Sequence, residues 1–163
     1  MASIVKNIVE TDSELIDELL SKDEESGGVT FDFDKWCPMP AGVARRVERI
    51  NEKLRKERLK RNSMMLDKSI SDRKKEKMSI GVHTNVYLNN WRMKNWGVSR
   101  KVFDTERISP NVFVFETAWY HPHILLQHIS RKFPEILLRV SFVDEDNDDS
   151  MKIYQLKNGE VIE

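Results

Sequence analysis

Two runs of residues decide the fold of this 163-residue chain: NWRMKNWG at positions 90–97 and FVFETAWYHP at positions 113–122. They contain three of its four tryptophans. Tryptophan carries more buried surface than any other side chain, so we expect the core to be assembled around these two runs. The aromatic and β-branched residues from Val112 to Ala118 favour a pleated surface and predict a strand.

Beyond this strand, the C-terminal part predicts a helix followed by antiparallel strands. Apolar residues and one histidine recur at helical spacing at Ile124, Leu125, His128 and Ile129. Pro134 ends this helix. Strands are predicted at 136–143 and 151–156, joined by an acidic turn at 144–150. Asn158-Gly159 is a two-residue hairpin signal that returns residues 160–162 alongside the last strand.

The N-terminal part predicts a strand, a helix and a second strand. Residues 4–9 alternate apolar and polar positions, and Thr11 and Glu14 have the spacing of a capping box for a helix over residues 15–20. Further strands are predicted at 29–33 and 98–103. This order predicts an α+β, ferredoxin-like split β-α-β sandwich. We expect a single domain over residues 1–163, with a helical basic insertion at about 41–85.

The insertion begins with a helix over residues 41–61. Its apolar stripe is narrow and consists of Val43, Val47, Ile50 and Leu54. Residues 62–79 predict a loop with a further helical piece, and residues 81–91 a loop that finishes as a helix. The stripe can dock against the body of the protein or against another helix, so a homodimer through the 41–61 helix is one expected assembly.

The formal net charge is +0, but the charges are sorted along the chain. Residues 10–34 hold ten acids and one base, whereas residues 45–77 hold fourteen bases and six acids. Such sorting indicates either internal pairing of opposite surfaces or a polar partner. The candidate partner-binding residues are Arg45, Arg46, Arg49, Lys53, Arg55, Lys56, Arg58, Lys60, Arg73, Lys74 and Lys75. The alternative is a solvated helix whose basic stems cover apolar surface.

No catalytic residue, metal ligand or cofactor site is predicted. His121, His123 and His128 resemble a metal set most closely, but a metal needs three or four converging ligands and the only cysteine lies far off in sequence, so a structural or surface role is expected. Cys37 has no histidine at a spacing that would make it a nucleophile. The acidic run 144–149 lacks the glycine and the closing glutamate of an EF-hand loop.

Composition places the chain among soluble cytoplasmic proteins. No apolar run is long enough to span a bilayer, and the first residues lack the pattern of a signal peptide. The single Cys37 cannot form an internal disulfide, which agrees with a reducing compartment.

Several motifs resemble one family. Asn95-Trp96-Gly97, Phe115-Glu116-Thr117-Ala118-Trp119 and Phe133-Pro134, preceded by Cys37-Pro38-Met39-Pro40, are similar to the YubB-like family of phage and plasmid accessory proteins. The chain departs from that family's Asn-Trp-Gly-Thr-Lys-Trp pattern at residues 98–100 and from its Ser-Pro-Pro ending at residues 120–123. The resemblance implies a ferredoxin-like domain and a protein of a mobile element that acts in the cytoplasm of a bacterial host.

Two functions follow as expectations. The first is a non-enzymatic phage- or mobile-element-encoded binding protein that inhibits or redirects a host defence complex, a protein or nucleoprotein partner, through charged contacts. The second is a nucleic-acid-binding module that uses the basic helical arm. No membrane partner is expected.

Overall fold

The computed structural model describes residues 3–69, 71–73 and 85–162. The helices are α1 (Ser13–Leu19), α2 (Phe33–Trp36), α3 (Ala41–Leu66), α4 (Val86–Trp96) and α5 (His123–Lys132). The strands are β1 (Ile4–Glu10), β2 (Leu20–Lys22), β3 (Val29–Phe31), β4 (Thr105–Ser109), β5 (Val112–Ala118), β6 (Leu138–Asp144), β7 (Asp148–Lys157) and β8 (Glu160–Ile162). The chain divides into two compact units, Met1–Pro38 with Asn89–Glu163, and Met39–Leu88. The single domain that we expect stays a prediction.

Within the described residues, six strands of the first unit form an antiparallel sheet in the order β4-β5-β1-β6-β7-β8. β1 lies between β5 and β6, so that Ile8 is opposite Val114 on one side and Ser141 on the other. A chain order of β1-α1-β4-β5-α5-β6 with β1 in the centre is the split β-α-β arrangement of a ferredoxin-like fold. The predicted α+β, ferredoxin-like class is therefore confirmed.

Alternate residues of the central strands form the core with the helices. Val9, Phe113, Phe115 and Val140 are at most 1% exposed. The helices α1 and α5 add Leu15, Ile16, Leu19, Leu125, Leu126 and Ile129 to the same cluster. The predicted apolar face of α5 was wrong at Ile124, which is 39% exposed, because the helix begins at His123 and turns Leu126 inward instead.

The tryptophans divide between core and surface. Trp96 is fully buried, with ring centroids 5.6 Å from Phe33 and 5.8 Å from Trp91. Trp119 is 48% exposed, so the expectation that it belongs to the core is wrong. The reason is local: β5 ends at Ala118, and Trp119 has a left-handed φ of 68°, which breaks the alternation of the strand.

The predicted strand at 98–103 is wrong. Helix α4 ends at Trp96, and Gly97 has a φ of 87°, which a glycine adopts without steric cost. The chain then bends, which buries Val98 in the core without a pleated ladder. Pairing with β5 begins where the N–H of Phe103 donates to the carbonyl of Glu116 at 2.9 Å, and the strand itself begins at Thr105.

The predicted capping box is also wrong. The hydroxyl of Thr11 donates to the carbonyl of Leu137 at 2.9 Å, and the cap of α1 is Asp12, which makes no side-chain capping bond. The predicted strand at 29–33 is shorter than expected: β3 pairs with β2 in a separate ribbon, and Phe33 already belongs to α2. The first correction depends on Leu137, which is distant in sequence, and the second on the neighbouring elements β2 and α2.

The second unit contains the long helix α3, which extends five residues beyond the predicted end at 61. Along it, Val47 is buried and the rest of the predicted stripe is partly buried. The buried Asn85 side chain donates to the carbonyl of Val47 at 3.2 Å, and its Oδ1 accepts the N–H of Leu88 at 3.0 Å. That second bond caps the start of α4. Of the segment predicted at 62–79 as a loop with a helical piece, residues 62–66 belong to α3, whereas 70 and 74–79 lie outside the described residues, as does the start of the loop predicted at 81–91.

Within the described ranges, 3–69, 71–73 and 85–162, each helix is too short or too polar to span a bilayer.

The predicted hairpin at Asn158-Gly159 is confirmed, with φ values of 51° and 77° at the two turn residues.

We expect Gly159→Ala to lower the free energy of unfolding by about 1–2 kcal/mol, because alanine disfavours positive φ and its Cβ would collide with Cγ of Arg131. Urea unfolding followed by circular dichroism measures this loss. Gly28→Ala is the control, since its φ is not left-handed and a Cβ there meets only the hydroxyl of Ser26 at 3.5 Å; an equal loss in both variants would contradict the prediction.

Candidate functional site

Helix α3 carries the basic surface that the sequence predicted. It has nine basic and three acidic residues. At 100° per residue, five bases align in one row along the helix, which we call the basic row: Arg45, Arg49, Lys53, Lys56 and Lys60. All five side chains are exposed. At 1.5 Å per residue the row is about 22 Å long.

The other predicted bases of α3 lie beside the row. The guanidinium of Arg46 is 4.4 Å from the ring centroid of Tyr87, and Arg55 pairs with Glu52 at 2.6 Å. Arg58 is exposed on the side of α3 that also carries the apolar stripe. Arg73 is exposed, whereas Lys74 and Lys75 lie outside the described residues. The structure thus brings eight of the eleven predicted residues onto one helix.

One flank of the basic row carries both positively and negatively charged side chains. Arg45, Glu48, Arg49 and Glu52 line a shallow depression of about 540 Å³. Two carboxylates offset two guanidinium groups there, so the depression carries no net charge. The positive charge of the row is therefore least offset at Lys53, Lys56 and Lys60.

A buried hydrogen-bond network that the sequence did not predict lies at the end of β5. Asn7 is fully buried, and its Nδ2 donates to Oγ1 of Thr117 at 3.0 Å and to the carbonyl of Phe115 at 3.2 Å. Its Oδ1 is left as an acceptor and takes the hydrogen bond from Nδ1 of His121 at 2.7 Å. The sequence signal was Asn7 itself, a polar residue at an inward position between Val5 and Val9.

The hydrogen bond from Nδ1 of His121 to Oδ1 of Asn7 determines the proton positions in the rest of the network. With its proton on Nδ1, a neutral His121 accepts through Nε2, so the hydroxyl of Tyr154, 2.5 Å away, donates to it. The same hydroxyl then accepts from Nδ1 of His123 at 2.9 Å. Burial, assisted by His123, lowers the pKa of His121 to about 3, and burial raises the pKa of Tyr154. Both groups are therefore neutral near pH 7.

The network has the geometry of a structural support. The ring of His121 stacks on Phe142 with centroids 4.1 Å apart and planes within 7°. The separations of the histidine nitrogens from Tyr154 are hydrogen-bond lengths. Among the described side chains, no three histidines, cysteines, aspartates or glutamates are grouped as metal ligands. His128 contacts the backbone of Trp36 instead.

Cys37 is half-buried beside the core. Nε1 of Trp96 donates to its carbonyl at 3.0 Å. Burial raises the pKa of its thiol, which keeps the sulfur protonated and weakly nucleophilic near pH 7. This environment is that of a small core residue.

The fold and these surfaces define a protein with a ferredoxin-like domain and a helical basic arm. Residues 95–163, less than half of the chain, match the family model described as a ferredoxin-like domain in Api92-like protein. The crystal structure of a protein api92 from Yersinia pseudotuberculosis is similar, with a TM-score of 0.51 and 9% identity over 99% of this chain and 96% of that one. At that identity the likeness concerns the fold alone. No curated protein sequence matches the chain.

Proposed function

We propose that this chain is a non-enzymatic binding protein that contacts an acidic surface of a host protein or nucleoprotein complex and so inhibits or redirects it. The basic row of α3 is the observation that carries the proposal. Its five side chains are exposed. None of the five forms an ion pair with another described residue. A helix that holds five positive charges on one side suits recognition of a partner with regularly spaced negative charges.

The proposed partner is a component of a defence system in a bacterial cytoplasm, and the chain is proposed to be encoded by a phage or another mobile element. These finer statements are supported by the motifs that resemble the YubB-like family, at residues 95–97, 115–119 and 133–134. Electrostatic complementarity between such partners governs association rate and partner choice more than raw affinity.

The absence of a catalytic step is part of the proposal. The thiol of Cys37 is protonated, and Nδ1 of His123 is directed to Tyr154. A base or nucleophile needs a free, activated atom within reach of a substrate. These groups therefore support a role in stability.

Nucleic-acid binding by the same row is the second candidate. Five bases in a line about 22 Å long could neutralise phosphates along one strand. Glu48 and Glu52 on the flank would repel the same phosphates, which favours a protein partner whose own bases can face them. A homodimer through α3 is a third assembly that uses the apolar stripe.

The test compares two variants of equal charge change. Arg49→Glu/Lys56→Glu reverses two charges inside the basic row, and Arg55→Glu/Arg58→Glu reverses two charges outside it. In a pull-down from host lysate, we expect the first variant to lose the partner by at least about tenfold, because facing like charges repel. The control variant should retain it. Equal retention by both variants would remove the basic row from the mechanism.

A salt titration separates the candidates. A gel-shift assay with duplex and single-stranded nucleic acid should show little binding at about 150 mM salt if the partner is a protein surface. A different result would establish the nucleic-acid function instead: the logarithm of the association constant falls steeply with the logarithm of the salt concentration, and the slope is smaller in Arg49→Glu/Lys56→Glu. Sedimentation of the same variants reports any dimer.

A further inference from the structure

Two neighbouring aromatic side chains of the first unit lie on the surface at the end of β5. Trp119 is 48% exposed and Tyr120 is 57% exposed. Tryptophan is usually mostly buried, and a left-handed φ of 68° is unfavourable for a bulky residue. An exposed ring held in a strained backbone conformation needs a reason, and such outliers concentrate at binding sites.

The backbone around these rings is anchored on both sides. The N–H of Trp119 donates to the carbonyl of Ser3 at 2.8 Å, and the buried hydroxyl of Thr117 donates to the carbonyl of Tyr120 at 2.7 Å. The next residue, His121, belongs to the buried network with Asn7. Because the backbone is already ordered, a partner that covers the rings loses little conformational entropy on binding.

Negative charge lies at the same end of the sheet. β5 ends beside the start of β1, and β6 ends on the other side of β1 at Asp144, two strand spacings or about 10 Å away. Ser3 links the two sides, because its hydroxyl donates to Asp144 at 2.6 Å. Hydrogen bonds from Ser3 and Asn147 lower the pKa of Asp144, so it is ionised near pH 7. Asp146 accepts the N–H of Ile4 at 3.2 Å, and Glu145 pairs with Lys6 at 3.4 Å.

We propose that Trp119 and Tyr120, with the acidic turn Asp144–Asp146, form a docking site for an arginine-rich segment of a partner protein. One guanidinium stacks on the aromatic rings while a second cation of the segment pairs with the carboxylates. Arginine fits better than lysine, because its planar, weakly hydrated guanidinium stacks on an aromatic face. Single-stranded nucleic acid also stacks on aromatic rings, but the carboxylates about 10 Å away repel its phosphates.

This site belongs to a different unit from the basic row and has the opposite charge. The basic row lies in the second unit and selects acidic surfaces, whereas the aromatic and acidic residues lie in the first unit. The inference therefore does not depend on the proposed function. If both hold, one small protein presents two surfaces of opposite charge and can contact two partners.

The test uses two defined probes, fluorescein-labelled nona-arginine and nona-lysine peptides, titrated with the full chain in about 150 mM salt. Both peptides carry the same charge, so the ratio of their dissociation constants isolates stacking from simple attraction. We expect the arginine peptide to bind at least about fivefold more tightly. In Trp119→Asn, the ratio should fall to about one.

Two controls locate the effect. Asparagine tolerates left-handed φ, so Trp119→Asn should retain the folded spectrum, and Tyr120→Ala provides a second loss of ring surface if it does not. Phe103→Leu removes another exposed aromatic, 46% exposed, and should leave the ratio unchanged. Glu145→Gln/Asp146→Asn should weaken both peptides alike.

Three results would overturn the inference. Equal affinity of the intact chain for both peptides excludes stacking as the basis of recognition. An unchanged ratio in both Trp119→Asn and Tyr120→Ala places the peptide elsewhere. Tighter binding of a single-stranded oligonucleotide than of the arginine peptide, lost in Trp119→Asn, would assign the rings to nucleic acid instead.

Discussion

Replacement of Trp96 by alanine is expected to lower the free energy of unfolding by about 4 kcal/mol. The side chain is fully buried, and its ring packs edge-to-face on Phe33 and Trp91 with centroids 5.6 and 5.8 Å away. The substitution removes a large apolar surface and leaves a cavity among rigid rings. It also removes the donor to the carbonyl of Cys37, now 3.0 Å from Nε1.

Urea unfolding followed by far-ultraviolet circular dichroism measures this loss without relying on tryptophan fluorescence. If Trp96→Ala is unfolded without denaturant, Trp96→Phe retains much of the ring and should lose about 2 kcal/mol. Trp119→Phe is the matched control, because that ring is half exposed and its loss should be less than about 1 kcal/mol. A loss below about 1 kcal/mol for Trp96→Ala would mean that the core does not depend on this residue.

Acid is expected to destabilise the protein through His121, by about 2 kcal/mol between pH 7 and pH 5. Its pKa is about 3 in the folded chain and near 6.5 in the unfolded chain. Between those pH values the unfolded chain binds one more proton than the folded chain. Stability is therefore complete above pH 6.5 and falls as the pH decreases toward 3.

Urea unfolding at pH 7, 6 and 5 tests this dependence. In His121→Gln the titrating group is absent, so the decrease in the free energy of unfolding between pH 7 and pH 5 should be smaller by about 2 kcal/mol. The variant is also less stable at pH 7, because the stacking on Phe142 is lost. His128→Gln is the comparison: burial also lowers the pKa of His128, but this residue lies outside the network and is only partly buried, so its replacement should change the pH dependence less than His121→Gln does. An unchanged pH dependence in His121→Gln would show that His121 is not held neutral.

Elements that depend on neighbours in sequence were predictable. The strand Val112–Ala118 and the hairpin at Asn158-Gly159 were found where expected, because a run of branched and aromatic residues and a turn that needs positive φ are both local properties. Helix α3 follows from its stripe Val43, Val47, Ile50 and Leu54. The basic residues of the candidate binding surface were visible for the same reason, as charge on one helix.

Other predictions failed where a distant residue or a positive φ overrode the local pattern. Thr11 has the right spacing for a cap, but the carbonyl of Leu137 competes for its hydroxyl. Val98 was expected to begin a strand, yet the bend after Gly97 places it in the core without strand pairing. Trp119 continues the pattern of β5 and its N–H still donates to the carbonyl of Ser3, but its left-handed φ of 68° breaks the alternation, so that its ring is half exposed.

By itself, the sequence determined the α+β, ferredoxin-like class and the basic face of α3, because hydrophobic period and turn residues act over a few positions. Tertiary structure alone decided that Asn7, His121 and Tyr154 meet in one buried network, and that the aromatic pair Trp119-Tyr120 shares an end of the sheet with Asp144. These residues lie far apart along the chain. Strand pairing across β1 brings them together, and no local pattern encodes that register.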